Sequence, residues 1–285
     1  MNTYFNTHSH TMYSNLRLLD SINRPEALIK TSKELGLSGL AITDHEALCA
    51  HMTVNKLAKA MRETDPDFTI ALGNEIYLTE TREPKQKYYH FILIAKDNDG
   101  YTQLKKLSSL AWTNIYEYGR LERVPTLKED LKRIIKENPG HVIATSACIG
   151  GELSSNALLM AKARAVGDNQ NAKIYYDNIN NFLNYCLDIF GSDFYIECAP
   201  STDEEQILVN QTLYKISKAL GIPMVIGTDA HYLRPEDRPI HRAYLTSKEG
   251  DRETDKFYQY TYVMSPDDVK ELMLKSIEDE AVIDW

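Results

Sequence analysis

Histidines, carboxylates and one thiol recur at telling positions along this 285-residue chain. Together they are the side chains that bind zinc, manganese or iron. The first group is His8-Ser9-His10, closing an apolar run that begins near Tyr4. Two imidazoles two residues apart on a strand project from one face, so both can close on a single ion at the strand's end. Chance alone gives a His-x-His roughly 0.2 times in a chain with so few histidines. The signal grows because Thr43-Asp44-His45, Gly73-Asn74-Glu75, Cys148 and Asp229-Ala230-His231 follow later apolar runs, and His90 opens another. The candidate donors are His8, His10, Asp20, His45, Glu75, His90, Cys148, Asp229 and His231. So many donors suit two or three neighbouring divalent ions better than one. Clustered ions bind phosphate oxygens and turn water into hydroxide near neutral pH, so the expected chemistry is phosphoester hydrolysis.

Each donor also has a plainer explanation. Asp44 stands where a helix cap would, and His90 where a hydrogen-bonded core histidine would. Cys148 reads equally as a small buried apolar residue, and Glu75 as a surface carboxylate. An Asp-x-His is expected about 0.6 times by chance. All of these readings must hold at once for the site to vanish. His51 reads as a helix-surface histidine and His141 as one that starts a strand. Arg17 and Arg120 are the candidate substrate contacts, with Arg123 a further arginine able to meet phosphate. Phosphate-binding glycine loops of the Gly-x-x-x-x-Gly-Lys and Gly-x-Gly-x-x-Gly kinds, and a Gly-x-Ser-x-Gly elbow, do not occur.

The elements that must position these residues alternate. Apolar runs over 4–10, 40–43, 68–72, 89–95, 141–145, 194–198 and 224–227 read as strands. Helical patterns lie between them, opening at Pro25 and covering in turn 101–115, 127–135, 152–166, 169–190 and 203–220, with 266–277 in the tail. A helix with Leu48, Met52, Leu57 and Met61 on one side follows the second strand. Residues 116–125 read as an irregular, partly basic loop. This alternation predicts a mostly parallel sheet with helices outside, closing into a (β/α) barrel with one unit fewer than eight. In such barrels the chemistry sits at the C-terminal ends of the strands, where most of the candidate donors fall. The histidine at the start of 89–95 is the odd one.

A net charge of −9 argues against a broad basic surface for duplex nucleic acid. Bound divalent ions would still make the site locally positive. The four cysteines are widely spaced, which argues against a disulfide framework or a zinc ribbon and suits a reducing cytoplasm. No apolar run is long enough for a bilayer, and no basic-then-apolar leader opens the chain. A cytoplasmic protein without membrane partners is the expectation.

The motif series His8-Ser9-His10, Thr43-Asp44-His45, Gly73-Asn74-Glu75, His90-Phe91, Ser146-Ala147-Cys148 and Asp229-Ala230-His231 resembles the polymerase and histidinol phosphatase (PHP) domain. The text around 90–95, Gly100-Tyr101, 107–112, 144–153 and 227–235 is similar to one branch, the N-terminal PHP domain of the α subunit of bacterial DNA polymerase III or a phage counterpart. The resemblance implies one domain over 1–285, with a barrel to about 235 and an extension over 236–285 leading toward a polymerase region. No DNA synthesis is expected of this chain alone. It implies a distorted seven-stranded (β/α) barrel holding up to three metal ions, and metal-dependent phosphoesterase activity. In members with an intact site this can be 3′–5′ exonuclease action on a primer end, hence proofreading. Members missing ligands have a structural role.

Carried over by position, His8, His10, Glu75 and Asp229 would serve one ion, and Asp20, His45 and His231 a second. Glu75 would bridge to a third held by His90 and Cys148. The segment between His10 and Asp20 is longer than the family's usual spacing. The implied partners are a single-stranded 3′ end or primer terminus and a polymerase domain or other replisome subunits. Two alternatives stay open: a non-catalytic docking module, and a small-molecule phosphatase similar to histidinol-phosphate phosphatase.

Overall fold

The computed structural model describes residues 4–16, 19–83, 85–118, 121–247 and 256–278, so Arg17 and Arg120 lie outside the described residues. The strands in chain order are β1 (Phe5–Asn6), β2 (Gly39–Ile42), β3 (Thr69–Thr79), β4 (Tyr89–Ala95), β5 (Tyr116–Tyr118), β6 (Leu121–Arg123), β7 (Pro125–Leu127), β8 (Val142–Thr145), β9 (Phe194–Cys198) and β10 (Met224–Ile226). Seven of them pair in the order β1-β2-β3-β4-β8-β9-β10. A bridge between Ser9 and Ala230 brings the first and last together. There His10 N donates to Ala230 O at 3.0 Å and Ala230 N to His8 O at 3.3 Å. The result is a nearly closed seven-stranded α/β barrel.

Helices cover its outside: α1 (Pro25–Glu34), α2 (His51–Thr64), α3 (Asn98–Thr113), α4 (Lys128–Glu137), α5 (Glu152–Ala165), α6 (Asn169–Phe190) and α7 (Glu204–Leu220), followed by α8 (Arg238–Thr246) and α9 (Pro266–Leu274). Their ends follow local chemistry. Pro25 opens α1 at a position where its missing N–H costs nothing. The Asp97 and Asp203 side chains accept from the first free N–H groups of α3 and α7. Gly221, at φ 69°, ends α7 in the left-handed conformation. Among the described residues no helix is long and apolar enough to cross a membrane.

β4 runs antiparallel to both neighbours, β3 and β8, whereas the other neighbouring pairs of the barrel are parallel. The start of a reversed strand lies where parallel strands end, which is why His90 stands at the beginning of its strand and still reaches the same mouth. The register then sorts the side chains. Glu75 lies opposite Ile92 and Tyr77 opposite His90, so with a period of two these four share the inner face with Gly73 and Ile94. Below the mouth that face is filled by Ala41, Ile92, Ile94 and Ala147, so the barrel is not a pore. The outer face carries Phe91, whose ring lies 6.0 Å from those of Phe182 and Phe190 under α6. Each such fully buried side chain contributes roughly 1.5–3 kcal/mol.

Three local expectations change. Residues 116–125 are not irregular: β5 and β6 form a hairpin in which Tyr116 pairs with Arg123. Strands so short and polar give no alternation to read. On α2 the buried residues are His51, Val54 and Ala58, while Met52 is 70% exposed, so the helix is rotated from the expected face. His51 is therefore not a surface residue. Its Nε2 donates to Gly73 O at 3.0 Å, and burial pushes its pKa down to about 4. The tail is also integral, since Val263, Met264, Val269, Met273 and Ile277 join the main core.

Candidate metal centre

Glu75 and Asp229 stand at the middle of the mouth. The fully buried Glu75 has Oε2 at 3.2 Å from His8 Nε2, 3.0 Å from His10 Nε2 and 3.1 Å from His45 Nδ1. Its Oε1 lies 2.8 Å from His90 Nδ1. Asp229 Oδ1 is 3.1 Å from both His8 Nε2 and His10 Nε2, and 3.4 Å from His231 Nδ1. Asp20 Oδ2 is 3.0 Å from His231 Nε2 and 3.4 Å from His45 Nε2. The donors fall into three groups, each with its ligand atoms within 4.8 Å of one another: His8, His10, Glu75 and Asp229; His10, Asp20, His45 and His231; and His45, Glu75 and His90. His10, His45 and Glu75 are shared, so the groups adjoin. Cys148 lies outside all three, buried, with Sγ 3.6 Å from His90 Nδ1.

Neighbouring residues explain how the chain reaches this arrangement. The long segment before Asp20 is gathered by Asn15, whose side chain accepts from Asp20 N at 2.7 Å and donates to Ser21 O at 2.6 Å. Asp44 does not cap α2. It accepts from Thr11 N and Oγ1 at 2.6 and 2.8 Å and from Ser14 Oγ at 2.8 Å, tying down the loop after His10. Burial pushes its carboxyl up to about 6. Asp229, Ala147 and Glu46 have φ of 48°, 57° and 54°. These strained left-handed conformations adjoin or include donors at three strand ends, where they aim side chains inward.

Sequence reasoning missed Glu197, Tyr258 and His241. Glu197 Oε1 lies 2.7 Å from His8 Nδ1, and its Oε2 accepts from Thr145 Oγ1 at 2.5 Å. A Cβ at Gly227 would lie 2.6 Å from that Oε1, so only glycine leaves room for the pair. A charged residue between Ile196 and Cys198 in an apolar strand was the available signal. Tyr258 donates to Asp20 Oδ1 at 3.2 Å and His241 Nε2 to Asp20 O at 2.6 Å. Nothing in the tail's sequence announces those contacts.

The electrostatics follow from burying carboxylates among imidazoles. Burial alone would push His8 down, but Asp229, Glu75 and Glu197 outweigh it and hold its pKa well above 6.5. Burial opposes the carboxylates at His10 too, yet hydrogen bonds to Asp229 and Glu75 raise it to about 10. His45 goes the other way, to about 3, because burial and the charges of His10 and His90 exceed the pull of Glu75 and Asp20. Glu75, Asp20 and Asp229 are all held below the usual carboxylate range; burial opposes this, and the surrounding imidazoles prevail. Burial pushes the Cys148 thiol up.

This donor set fits divalent cations. Asp20 Oδ2, His45 Nδ1, Glu75 Oε1 and Asp229 Oδ1 are buried without a hydrogen bond of sound geometry. Unsatisfied buried polar atoms concentrated at one spot are atoms that a bound cation would satisfy. Two clefts flank the cluster. One, of about 360 Å³, runs from Asp20, His45 and His90 to Tyr88, Trp112 and Arg123. The other, of about 430 Å³, opens beside Cys148 and Asp229.

Comparison with known proteins supplies the family. The family profile described as "PHP domain" matches residues 6–201, and the chain belongs to that family. It is 42% identical over 289 residues to the DNA-directed DNA polymerase of Bacillus phage SPbeta, covering 97% of this chain and 22% of that one. It is 32% identical over 253 residues to DNA polymerase III subunit alpha of Thermus aquaticus, covering 84% and 18%. With the same subunit of Borreliella burgdorferi the identity is 29% over 260 residues, covering 89% and 20%. The chain thus spans about a fifth of the length of the curated relatives it matches.

Proposed function

We propose that this chain is the metal-dependent phosphoesterase domain of a replicative DNA polymerase and removes nucleotides from single-stranded 3′ ends. The observation that carries the reading is the trio of adjoining donor groups sharing His10, His45 and Glu75 at one barrel mouth. Under this reading His8, His10, Glu75 and Asp229 hold one cation and Asp20, His45 and His231 a second. Glu75, His90 and Cys148 hold a third. When bound, zinc, manganese or iron ions would supply positive charge to a phosphodiester and acidify water.

The chain's own residues supply the rest. Glu197 accepts from His8 Nδ1, which turns Nε2 toward the mouth. His231 Nδ1 donates to Asp229 O at 2.6 Å and so leaves Nε2 facing Asp20. The two clefts give a strand room on both sides of the donors. The relatives' names support DNA and a polymerase or replisome setting, and with it a cytoplasmic location.

The test is a 5′-labelled single-stranded primer incubated with the Mn²⁺- or Zn²⁺-loaded protein. Stepwise shortening that disappears in Asp229→Asn is the expected result. A folded, metal-filled protein that leaves the primer intact would overturn the reading. Phosphate release from a monoester without primer shortening would point instead to a small-molecule phosphatase.

A further inference from the structure

We infer that the cleft beside His45 and His90 is a nucleotide subsite, in which Arg123 and Tyr88 bind a phosphate of a single strand and Tyr77 and Trp112 contact its terminal base. The substrate class comes from the phosphoesterase reading above; the residues and their roles come from the cleft itself.

Three observations meet there. Arg123 Nε and the Tyr88 hydroxyl are both buried without a hydrogen-bond partner. Leaving such donors unsatisfied costs about 1–3 kcal/mol each, and an arriving acceptor would recover it. The Arg123 guanidinium lies 5.4 Å from the centre of the Tyr88 ring, so the two donors belong to one corner of the cleft. Among the described residues no carboxylate forms an ion pair with Arg123, whose charge is left available to an anion. A guanidinium fork and a phenol suit the oxygens of a phosphodiester.

The aromatic side chains are held rigidly. Trp112 Nε1 donates to Glu46 O at 2.9 Å. Tyr77 sits in β3 opposite His90, its ring stacked 5.4 Å from that of His45 and tilted 5.1 Å from that of His90. A base against these rings would leave its phosphate between Arg123 and the donor cluster. Arg123 is fixed by its pairing with Tyr116 in the β5–β6 hairpin. The cleft, at about 360 Å³, is of the size that encloses one small ligand. A duplex end must therefore fray before its last nucleotide can enter, and stacking tolerates any base.

The experiment measures binding, apart from hydrolysis. The probe is a 5′-labelled, phosphorothioate-linked tetrathymidylate, titrated by fluorescence polarisation against the Mn²⁺-loaded protein. Arg123→Ala and Tyr88→Phe should each weaken binding about tenfold, and Arg123→Lys less. A probe with an abasic 3′ residue should also bind about tenfold more weakly. Metal content and melting temperature of the variants, measured alongside, should match the parent. Equal affinity of Arg123→Ala and the parent, or of the abasic and intact probes, would overturn the inference. Primer hydrolysis combined with either of those results would leave the phosphoesterase reading intact. Tight, Arg123-dependent and base-dependent binding without hydrolysis would sink that reading and keep the subsite.

Discussion

His8 Nδ1 and Glu197 Oε1 lie 2.7 Å apart inside the barrel, both side chains fully shut off from solvent. The contact decides which nitrogen His8 offers to the mouth, because the proton on Nδ1 is held by the carboxylate. Thr145 holds the other carboxylate oxygen of Glu197, and the bare Cα of Gly227 leaves room for this one. Carboxylates that orient a ligating histidine typically matter by ten- to a hundredfold in metal affinity. Glu197→Ala should therefore weaken Zn²⁺ binding by roughly that factor, and Glu197→Gln by less. Competition with a chromogenic chelator measures it. Parent-like affinity in Glu197→Ala would mean that His8 is oriented by its backbone alone.

Glu197 also marks where sequence reading stops. His8 and His10, or Asp229 and His231, announce themselves because two donors stand two residues apart in one strand end. The strands β2, β4, β8, β9 and β10 and the helices α5 and α6 were legible within a residue or two from their apolar runs and the turn residues that bound them. By contrast, β1 is shorter than its apolar run and β3 continues seven residues beyond its own. Glu197 is a lone charge within β9, and only a partner more than a hundred positions away gives it meaning. Tyr258 and His241 are no different in composition from any surface residue of a polar tail. The reversal of β4 had one trace, the histidine at its start, which pair geometry explains and periodicity cannot. The β5–β6 hairpin is held by pairing between polar residues, so nothing in its hydropathy separates it from a loop.

Protons compete with metal at this centre. Against burial, the surrounding carboxylates raise His10 to about 10 and His8 well above 6.5, so in the cation-free protein this pair of rings, with Nε2 atoms 3.0 Å apart, retains a proton at neutral pH. Ligation needs the neutral ring, so binding near pH 7 should release protons and affinity should climb with pH. Calorimetry in two buffers of different ionisation heat counts the protons released. Their raised values also stabilise the cation-free fold, fully below 6.5 and progressively less as pH rises through about 10. Asp20, Glu75 and Asp229 act oppositely, contributing above the ordinary carboxylate range and losing their contribution in acid. The cation-free protein should thus lose melting temperature between pH 6.5 and 10 while the loaded protein changes little. Parallel curves would show that this pair does not retain that proton.

His51 gives a second pH signature, away from the donors. Buried and bonded to Gly73 O, it is held at about 4 against an ordinary 6.5. The unfolded chain therefore binds the extra proton between those values, and stability present above 6.5 is lost as pH falls toward 4. Between pH 7 and 5 that amounts to roughly 2 kcal/mol. His51→Leu should cost stability at pH 7 through the lost bond, yet remove this acid-dependent part. Urea unfolding of both proteins at the two pH values isolates the difference. An unchanged difference would mean that His51 stays accessible to protons in the folded protein.

The tail reaches the centre through a different donor. Tyr258 donates to Asp20 Oδ1 at 3.2 Å, and His241 holds the Asp20 carbonyl, so residues more than two hundred positions away fix the carboxylate that faces His45 and His231. Hydrogen bonds to charged groups contribute about 1.5–3 kcal/mol. Tyr258→Phe keeps the buried ring and removes that bond, so affinity at the Asp20 group should fall by about tenfold or more. Glu197 acts on the group built from His8, Glu75 and Asp229, which Tyr258 does not touch. The double variant Tyr258→Phe, Glu197→Ala should therefore lose both ions, each by its own amount, because changes without shared partners add. His10 belongs to both groups, and any departure from additivity would measure coupling through it. Metal content per chain at graded chelator concentrations separates the two losses. If Tyr258→Phe leaves every ion bound as tightly as in the parent, Asp20 is held by the backbone contacts of Asn15 and His241, and Tyr258 is packing rather than part of the centre.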